Sequence, residues 1–200
     1  MTAQDGLPGY VHRYLEEAKA SLEEAYIQSA VARIVPELRR ARREGRTIFF
    51  LGNGGSAATA SHFVTDIAKA TMGKTLEPGR RYRCLALNDN VPSITAWAND
   101  FDYDLVFAEQ LRTLGGAGDV VVAISGSGNS PNVLAAVEVA RAGGMFTIGL
   151  TGIGGGQLRS MVDVALVVPS NSMQHTEDVH LSICHLLTAY LRDEVGAETA

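Results

Sequence analysis

Cysteine is scarce in this sequence, and its two cysteines, Cys84 and Cys184, do not form a CxxC pair. Two isolated thiols exclude both a zinc knuckle and a disulfide framework. The chain also has no apolar run near the roughly 18 residues that a membrane span requires. Its N-terminal segment has no apolar core of the kind that a signal peptide carries. These absences predict a cytoplasmic protein without a membrane anchor.

Basic charge is also limited, with 17 Lys and Arg residues against 22 Asp and Glu residues and a formal net charge of −5. A general nucleic-acid binder or an anionic-membrane binder needs a basic stripe, so the charge argues against both classes. The cluster of Arg39, Arg40, Arg42 and Arg43 falls near the end of a predicted helix, where cations suit the helix dipole. An acidic protein can still bind a phosphate locally, through backbone amides and hydroxyls.

The chain of 200 residues suits one domain with a helical addition, and 46% hydrophobic with 20% charged residues is typical of a globular protein. Residues 10–45 have apolar positions at three- and four-residue spacing, which predicts helix. Pro36 predicts a kink or a new helix start within that region. We expect an N-terminal helical extension over residues 1–45 and a second unit over residues 46–196.

After Gly45, short apolar runs alternate with helical patterns. The runs predict five strands, which end near residues 52, 87, 125, 152 and 170. Their apolar residues are continuous and do not alternate with polar ones, so the strands are expected to be buried on both faces. This is the pattern of an α/β protein with a parallel sheet covered by helices. A final helix is predicted from about Met173 to Glu194.

Two Gly- and Ser-rich loops follow strands, at positions where parallel sheets bind ligands. The first is GNGGS (52–56) and the second is SGSGNS (125–130). Glycines allow the backbone to approach a ligand closely, serines add hydroxyl donors, and the next helix offers free N–H groups. Neither loop is GxGxxG, and no Gly-Lys-Ser/Thr occurs, so dinucleotide and Walker-type sites are disfavoured. The two loops together favour a phosphate site.

Two helices carry the acid and base candidates. His62 and Asp66 lie at positions i and i+4 after the first loop, a spacing that suits a metal site, an acid–base pair or a simple surface pair. Glu177, His180 and His185 on the last helix can face one cleft. The apolar neighbours of His180 favour a core position for it.

Several other polar and aromatic residues have ordinary structural explanations. Asn99 and Asp100 at the end of a short helix can form a turn or an N-cap. Trp97 and Tyr103 are expected to be packing residues. We expect the remaining histidines, His12 and His175, to be exposed at the surface.

Five segments, taken together, resemble the phosphoheptose (sedoheptulose 7-phosphate) isomerases: GNGGSAATASHF, WANDFDYDLVF, GDVVVAISGSGNSPNV, TIGLTGIGGGQL and EDVHLSICH. They occur in the family's order between about Ile48 and Leu191. The pair of glycine- and serine-rich loops at this separation is specific to the sugar isomerase (SIS) superfamily. The ANDxxxD segment and the terminal HxxxxH narrow the resemblance to the phosphoheptose isomerase branch.

The resemblance implies a doubly wound, five-stranded parallel sheet of the flavodoxin-like SIS fold, with residues 46–196 as the phosphosugar-binding domain. It also implies a homotetramer with active sites between subunits. The implied reaction converts sedoheptulose 7-phosphate to D-glycero-D-manno-heptose 7-phosphate or a closely related heptose 7-phosphate. Several members of the family bind zinc, so one Zn²⁺ ion per active site is expected here.

Residue roles are carried over position by position from the resemblance. The resemblance implies that Asp66 and His185 are the catalytic residues. The zinc ligands would be His62, Asp66, Glu177 and His185. The residues expected to bind the substrate are Asn53, Gly54, Gly55, Ser56, Asp66, Asn99, Asp100, Ser125, Gly126, Ser127, Ser130 and Glu177.

Four positions depart from the family pattern. Asp66 replaces a glutamate, Glu177 a glutamine, Gly126 a threonine and Gln174 an aspartate. The two carboxylate changes make an isomerase of another phosphosugar an alternative. The phosphate loops themselves are retained.

An enediol isomerisation needs a base that moves a proton between C1 and C2 and an acid for the carbonyl oxygens. Asp66 and His185 are the candidates, and the sequence leaves open which one takes the carbon-bound proton. The main rival is a non-catalytic SIS protein, either a sugar-phosphate sensor or a partner of a replication initiator. A pure binder does not need the acid–base set, whose presence favours an enzyme.

Overall fold

The computed structural model describes residues 6–22, 25–72 and 81–198 of the chain. Five strands form one sheet: β1 (Thr47–Gly52), β2 (Arg83–Ala86), β3 (Val120–Ser125), β4 (Phe146–Thr151) and β5 (Val164–Val167). The helices are α1 (Gly6–Leu22), α2 (Ala25–Glu44), α3 (Gly54–Ala70), α4 (Val91–Asp100), α5 (Ala108–Leu114), α6 (Pro131–Ala142), α7 (Leu158–Met161) and α8 (Met173–Glu198). The predicted alternation of strands and helices is confirmed.

The sheet is entirely parallel, with the strand order β2-β1-β3-β4-β5. This is the doubly wound, flavodoxin-like order, and it confirms the predicted fold class. All residues of β3 are buried, as the continuous apolar run predicted. Successive side chains point to opposite faces of the sheet, so Phe50 joins the core on one side and Phe49 the core on the other.

Helices cover both faces of the sheet. The core that contains Phe50 includes residues of α2, α3 and α8, and the core that contains Phe49 includes residues of α5 and α6. α2 buries Ile34 and Leu38 against the sheet and so supplies part of the first core. The division of the chain at residue 45 remains a prediction.

α2 runs through Pro36 without interruption, so of the two expected alternatives a new helix start is wrong and a kink remains a prediction. Proline cannot donate a hydrogen bond to the carbonyl four residues earlier, here that of Ala32. Both Pro36 and Ala32 are exposed, and water can therefore bind the free carbonyl.

Across the described ranges, no helix combines the length and the apolar character that crossing a bilayer requires.

Candidate active site at the carboxyl ends of β1 and β3

The strand order determines where a ligand can bind. β1 and β3 are neighbours, with Gly52 opposite Ile124, and the helices that follow them lie on opposite faces of the sheet. The two connections diverge at this point and leave a crevice beyond the carboxyl ends of the strands, which is the usual ligand position in such sheets. Both predicted phosphate loops end at this crevice.

The first loop is fixed by a pair of side-chain amides. Asn53, the residue before α3, donates from Nδ2 to Asn132 Oδ1 at 2.8 Å, and Asn132 donates back to Asn53 Oδ1 at 2.9 Å. Asn132 is in the first turn of α6 and is fully buried. The Tyr103 hydroxyl also donates to Asn53 Oδ1, at 3.0 Å. Asn53 is therefore held at the boundary between the two loops.

The second loop carries three hydroxyls, two of which lie next to each other. Ser125 Oγ and Ser130 Oγ are 3.2 Å apart, and the backbone N–H of Asn129 donates to Ser127 Oγ at 3.2 Å. The Ser127 hydroxyl accepts this hydrogen bond and also has one hydrogen of its own, which it can donate to a ligand. Pro131 at the start of α6 has no N–H, and the N–H groups of Val133 and Leu134 donate to the Ser130 carbonyl. The helix start therefore offers a ligand the N–H of Asn132 and the positive end of its dipole. On the first loop Ser56 is buried in the opening turn of α3.

The first two turns of α8 lie across both loops. A side chain added at Gly55 would meet the Glu177 carboxylate, with Oε1 only 2.5 Å from its Cβ, and one added at Gly126 would collide with Met173. Neither glycine has a positive φ, so this close approach of α8 is the reason that both positions lack a side chain. It also explains Gly126 in place of the family's threonine, since Met173 occupies that space.

A cluster of two imidazoles and one carboxylate joins α3 to α8. His62 Nε2 is 3.1 Å from Asp66 Oδ2, His185 Nε2 is 3.8 Å from the same oxygen, and the two Nε2 atoms are 3.0 Å apart. The side chain of Asp66 is 34% exposed and those of the histidines about half exposed, so solutes can reach the cluster. The structure thus brings together the two predicted catalytic residues with His62.

The donor set fits a zinc ion. Nitrogen and oxygen ligands at about 2.0–2.1 Å in a tetrahedron lie about 3.3 Å from one another. The three separations in this cluster bracket that value. Among the residues that the structure describes, this is the one group of three or more potential ligands whose donor atoms converge within 4.8 Å.

Glu177, the fourth expected zinc ligand, is outside this cluster. It lies eight residues before His185 on α8, about 12 Å along the helix axis, and its carboxylate is against Gly55. Its contribution to a metal site remains a prediction. Burial raises the pKa of the neighbouring Cys184 thiol.

The other predicted residues divide between the surface and the core. Asn99 and Asp100 are exposed at the end of α4, and Asn99 Nδ2 donates to Asp100 Oδ1 at 2.8 Å. His12 is exposed as expected. His180 is buried as predicted, and burial lowers its pKa to about 4, with a smaller raising contribution from the Thr151 backbone.

The expectation for His175 is wrong, because this side chain is only 1% exposed. α1 covers it, with the Tyr14 ring at 4.3 Å between centroids and Glu17 Oε2 at 3.7 Å from Nδ1. Local sequence could not show this, since α1 is more than 150 residues away in the chain. Tyr14 also donates from its hydroxyl to Asp178 at 2.6 Å, which raises the pKa of Tyr14 to about 12.

Three residues of the crevice were not identified from the sequence. Asn132 pairs with Asn53, Met173 covers Gly126, and Tyr103 was expected only to pack but is half exposed and contacts Asn53. Asn132 could have been predicted, because it is a polar residue in the first turn of the helix that follows a Ser/Gly loop. No local pattern distinguished Met173 or Tyr103.

Comparisons with known proteins agree with this geometry. A family model described as a SIS domain matches residues 10–152. A probable phosphoheptose isomerase from Thermoplasma acidophilum is 36% identical over 182 residues, which cover 91% of this chain and 97% of the relative. A phosphoheptose isomerase from Geobacter sp. is 38% identical over 169 residues and 84% of each chain.

The fold comparison gives the same result. The solved structure of a phosphoheptose isomerase from Neisseria gonorrhoeae matches with a TM-score of 0.83 and 31% identity, over 95% of this chain and 98% of that one. Together these similarities extend over the sheet, both loops and the helices that carry the cluster. The chain therefore belongs to the SIS domain family and, within it, to the phosphoheptose isomerases.

Proposed function

We propose that this protein is an aldose–ketose isomerase that converts sedoheptulose 7-phosphate to D-glycero-D-manno-heptose 7-phosphate or a closely related heptose 7-phosphate. The observation that carries the proposal is the cluster of His62, Asp66 and His185 on the same helices that border the two Ser/Gly loops. A phosphate site alone would suit many proteins. The adjacent acid–base cluster is what an enediol reaction requires.

The separation between the loops and the cluster leaves room for an extended sugar phosphate. His62 lies eight residues, about 12 Å, along α3 from Gly54 at the first loop. An extended heptose phosphate spans a comparable distance from its phosphate to C1. The loops would bind the phosphate through Ser56, Ser125, Ser127 and Ser130, and the carbonyl end would then reach the cluster.

The reaction moves one proton between neighbouring carbons. A base removes a proton from C1 of the ketose, the electrons of that C–H bond form the C1–C2 double bond of an enediol, and a proton is returned to C2. In the same steps a proton moves from O1 to O2, so that C1 becomes the aldehyde. Asp66 and His185 divide these transfers, and Asp66 also orients the His62 ring through their contact at 3.1 Å.

A zinc ion held by His62, Asp66 and His185, with Glu177 as a further candidate ligand, would polarise the substrate carbonyl. The distances of 3.0, 3.1 and 3.8 Å between the donor atoms of these two histidines and Asp66 support this proposal. The chain's own groups would still bind and orient the sugar. Asn53 would contribute an amide, and the N-termini of α3 and α6 would face the phosphate.

A homo-oligomer, by family resemblance a tetramer with active sites between subunits, is supported by an apolar surface on α1, α2 and α8. A groove between α2 and α8 is lined by side chains that include Val31, Leu186 and Tyr190. Leu7 and Leu15 on α1 are also well exposed. Apolar patches of this kind mark association surfaces, and light scattering after size-exclusion chromatography measures the assembly.

We place the enzyme in the cytoplasm, where charged sugar phosphates are retained.

The direct test is proton-exchange NMR in D₂O with a panel of ketose phosphates. Deuterium from solvent at C2 of one aldose product identifies both the activity and the substrate. Saturable binding of sugar phosphates without exchange for any of them would instead identify a non-catalytic sensor and refute the proposal. Exchange with a shorter or longer ketose phosphate alone would refute the heptose assignment.

A further inference from the structure

The loop that follows β4, residues 152–157, lies directly behind the second phosphate loop. The backbone N–H of Gly152 donates to the carbonyl of Gly126 at 3.0 Å, and that of Leu158 donates to the carbonyl of Gly128 at 3.0 Å. The two backbones are so close that a Cβ added at Gly156 would be 2.5 Å from the Ser127 carbonyl oxygen. The shape of the phosphate loop therefore depends on the loop behind it.

The side chain of Asn129 connects these two loops. Its Oδ1 accepts a hydrogen bond from the backbone N–H of Gln157 at 3.0 Å, and its Nδ2 donates to the Ser127 carbonyl at 3.1 Å. Its backbone N–H donates to Ser127 Oγ at 3.2 Å. One residue thus fixes Ser127 at two atoms and joins it to the loop after β4.

We propose that Asn129 is a positioning residue for phosphate recognition, whose side chain joins the Ser127 carbonyl to the loop after β4 and so keeps the Ser127 hydroxyl where it can donate to the ligand. The inference rests on the proposed phosphosugar function of the same loops. Asn129 itself is not required to touch the phosphate. Its amide restricts the loop before binding, so less conformational entropy is lost when the ligand arrives.

The amide is suited to this task because it both donates and accepts. An alanine at position 129 would remove both side-chain hydrogen bonds and leave the Gln157 N–H and the Ser127 carbonyl without these partners. An aspartate would keep the acceptor for Gln157 but would place a carboxylate oxygen against the Ser127 carbonyl. It would also bring negative charge close to the bound phosphate.

The experiment compares Asn129→Ala and Asn129→Asp with Ser160→Ala as a matched control. Ser160 donates to the Gln157 carbonyl at 3.0 Å, so its loss disturbs the loop after β4 without removing a bond to the phosphate loop. The readouts are KM and kcat for the isomerised sugar phosphate, the inhibition constant of inorganic phosphate and the melting temperature. All variants are made in the full chain.

We expect Asn129→Ala to raise KM and the phosphate inhibition constant together by about tenfold, since two hydrogen bonds that order the loop are lost. The kcat at saturation should stay within about twofold, because the acid–base cluster is not touched. Asn129→Asp should raise both constants further, and Ser160→Ala should leave them at the wild-type values. A general loss of folded protein would instead lower the apparent kcat and leave KM unchanged.

Wild-type values of KM and of the phosphate constant in Asn129→Ala would overturn the inference, as would an equal rise in Ser160→Ala. Failure of the wild-type protein to bind any sugar phosphate is a different result, which refutes the proposed function itself. If the wild type binds inorganic phosphate without turnover, Asn129→Ala is scored through the dissociation constant of phosphate, which calorimetry measures directly.

Discussion

Asn53 and Asn132 exchange two hydrogen bonds through their side-chain amides, at 2.8 and 2.9 Å, between the loop after β1 and the helix after β3. The two residues are 79 positions apart in the chain. They meet because β1 and β3 are neighbours in the sheet. The pair joins the two loops that the sequence identified separately, and each amide both donates and accepts within it.

Replacement of Asn132 by alanine should lower the free energy of unfolding by about 1–3 kcal/mol, because it leaves the Asn53 amide without its buried partner. Urea titration monitored by circular dichroism measures the change. Asn171→Ala, at an exposed asparagine, is the control and should be nearly neutral. Equal stability of the two variants would show that the amide pair contributes nothing to the fold.

Replacement of His185 by alanine should reduce kcat by a factor on the order of 10²–10⁴ while phosphosugar binding persists, because the phosphate loops remain intact. Turnover and calorimetric binding are measured on the same preparation. His12→Ala, on the exposed face of α1, is the control for loss of an imidazole. Normal turnover of His185→Ala would remove this residue from the mechanism.

Replacement of Ser127 by alanine should mainly raise KM, by about tenfold, because a hydrogen bond from its hydroxyl to a charged phosphate is lost. The kcat should change little, since the hydroxyl is remote from the reacting carbons. Steady-state kinetics separates the two constants. An unchanged KM would count against the phosphate cradle.

Burial of His180 predicts a specific dependence of stability on pH. Its pKa is about 4 in the folded protein and about 6.5 in the unfolded chain, so the unfolded state binds the proton more readily. The contribution of neutral His180 to the free energy of unfolding is therefore fully present above pH 6.5. It is lost as the pH falls towards 4, by about 3 kcal/mol in total. Denaturation of the wild type and of His180→Leu at several pH values measures the difference.

Between pH 6.5 and 4, His180→Leu should lose about 3 kcal/mol less stability than the wild type. His12→Gln should retain the wild-type dependence, since the His12 side chain is exposed. Parallel pH profiles of the wild type and His180→Leu would show that His180 becomes protonated without cost in the folded state.

Addition of zinc to protein treated with a chelator should raise the melting temperature, because a ligand that binds only the folded state stabilises it. The gain is about 2.7 kcal/mol at a free concentration of 100 times Kd. Asp66→Asn and His62→Ala should lose this shift, while His12→Ala should keep it. A shift of the same size in Asp66→Asn would place any bound zinc elsewhere.

Several parts of the site could be predicted because they depend on local pattern. The i, i+4 spacing places His62 and Asp66 on one side of α3 regardless of the rest of the fold. The apolar surroundings of His180 predicted its burial. In contrast, the burial of His175 depends on contact with α1, and the position of Met173 over Gly126 depends on how α8 crosses the sheet.

The sequence by itself predicted the five strands and the main helices that alternate with them, that the sheet is parallel, and that two loops could bind an anion. Periodicity and glycine content are local properties, which can be identified from the order of residues alone. Only the tertiary structure decided that α3 and α8 bring His62 and His185 to within 3.0 Å, a contact between residues 123 positions apart. That proximity results from packing both helices on one face of the sheet, where the burial of shared apolar surface determines their separation.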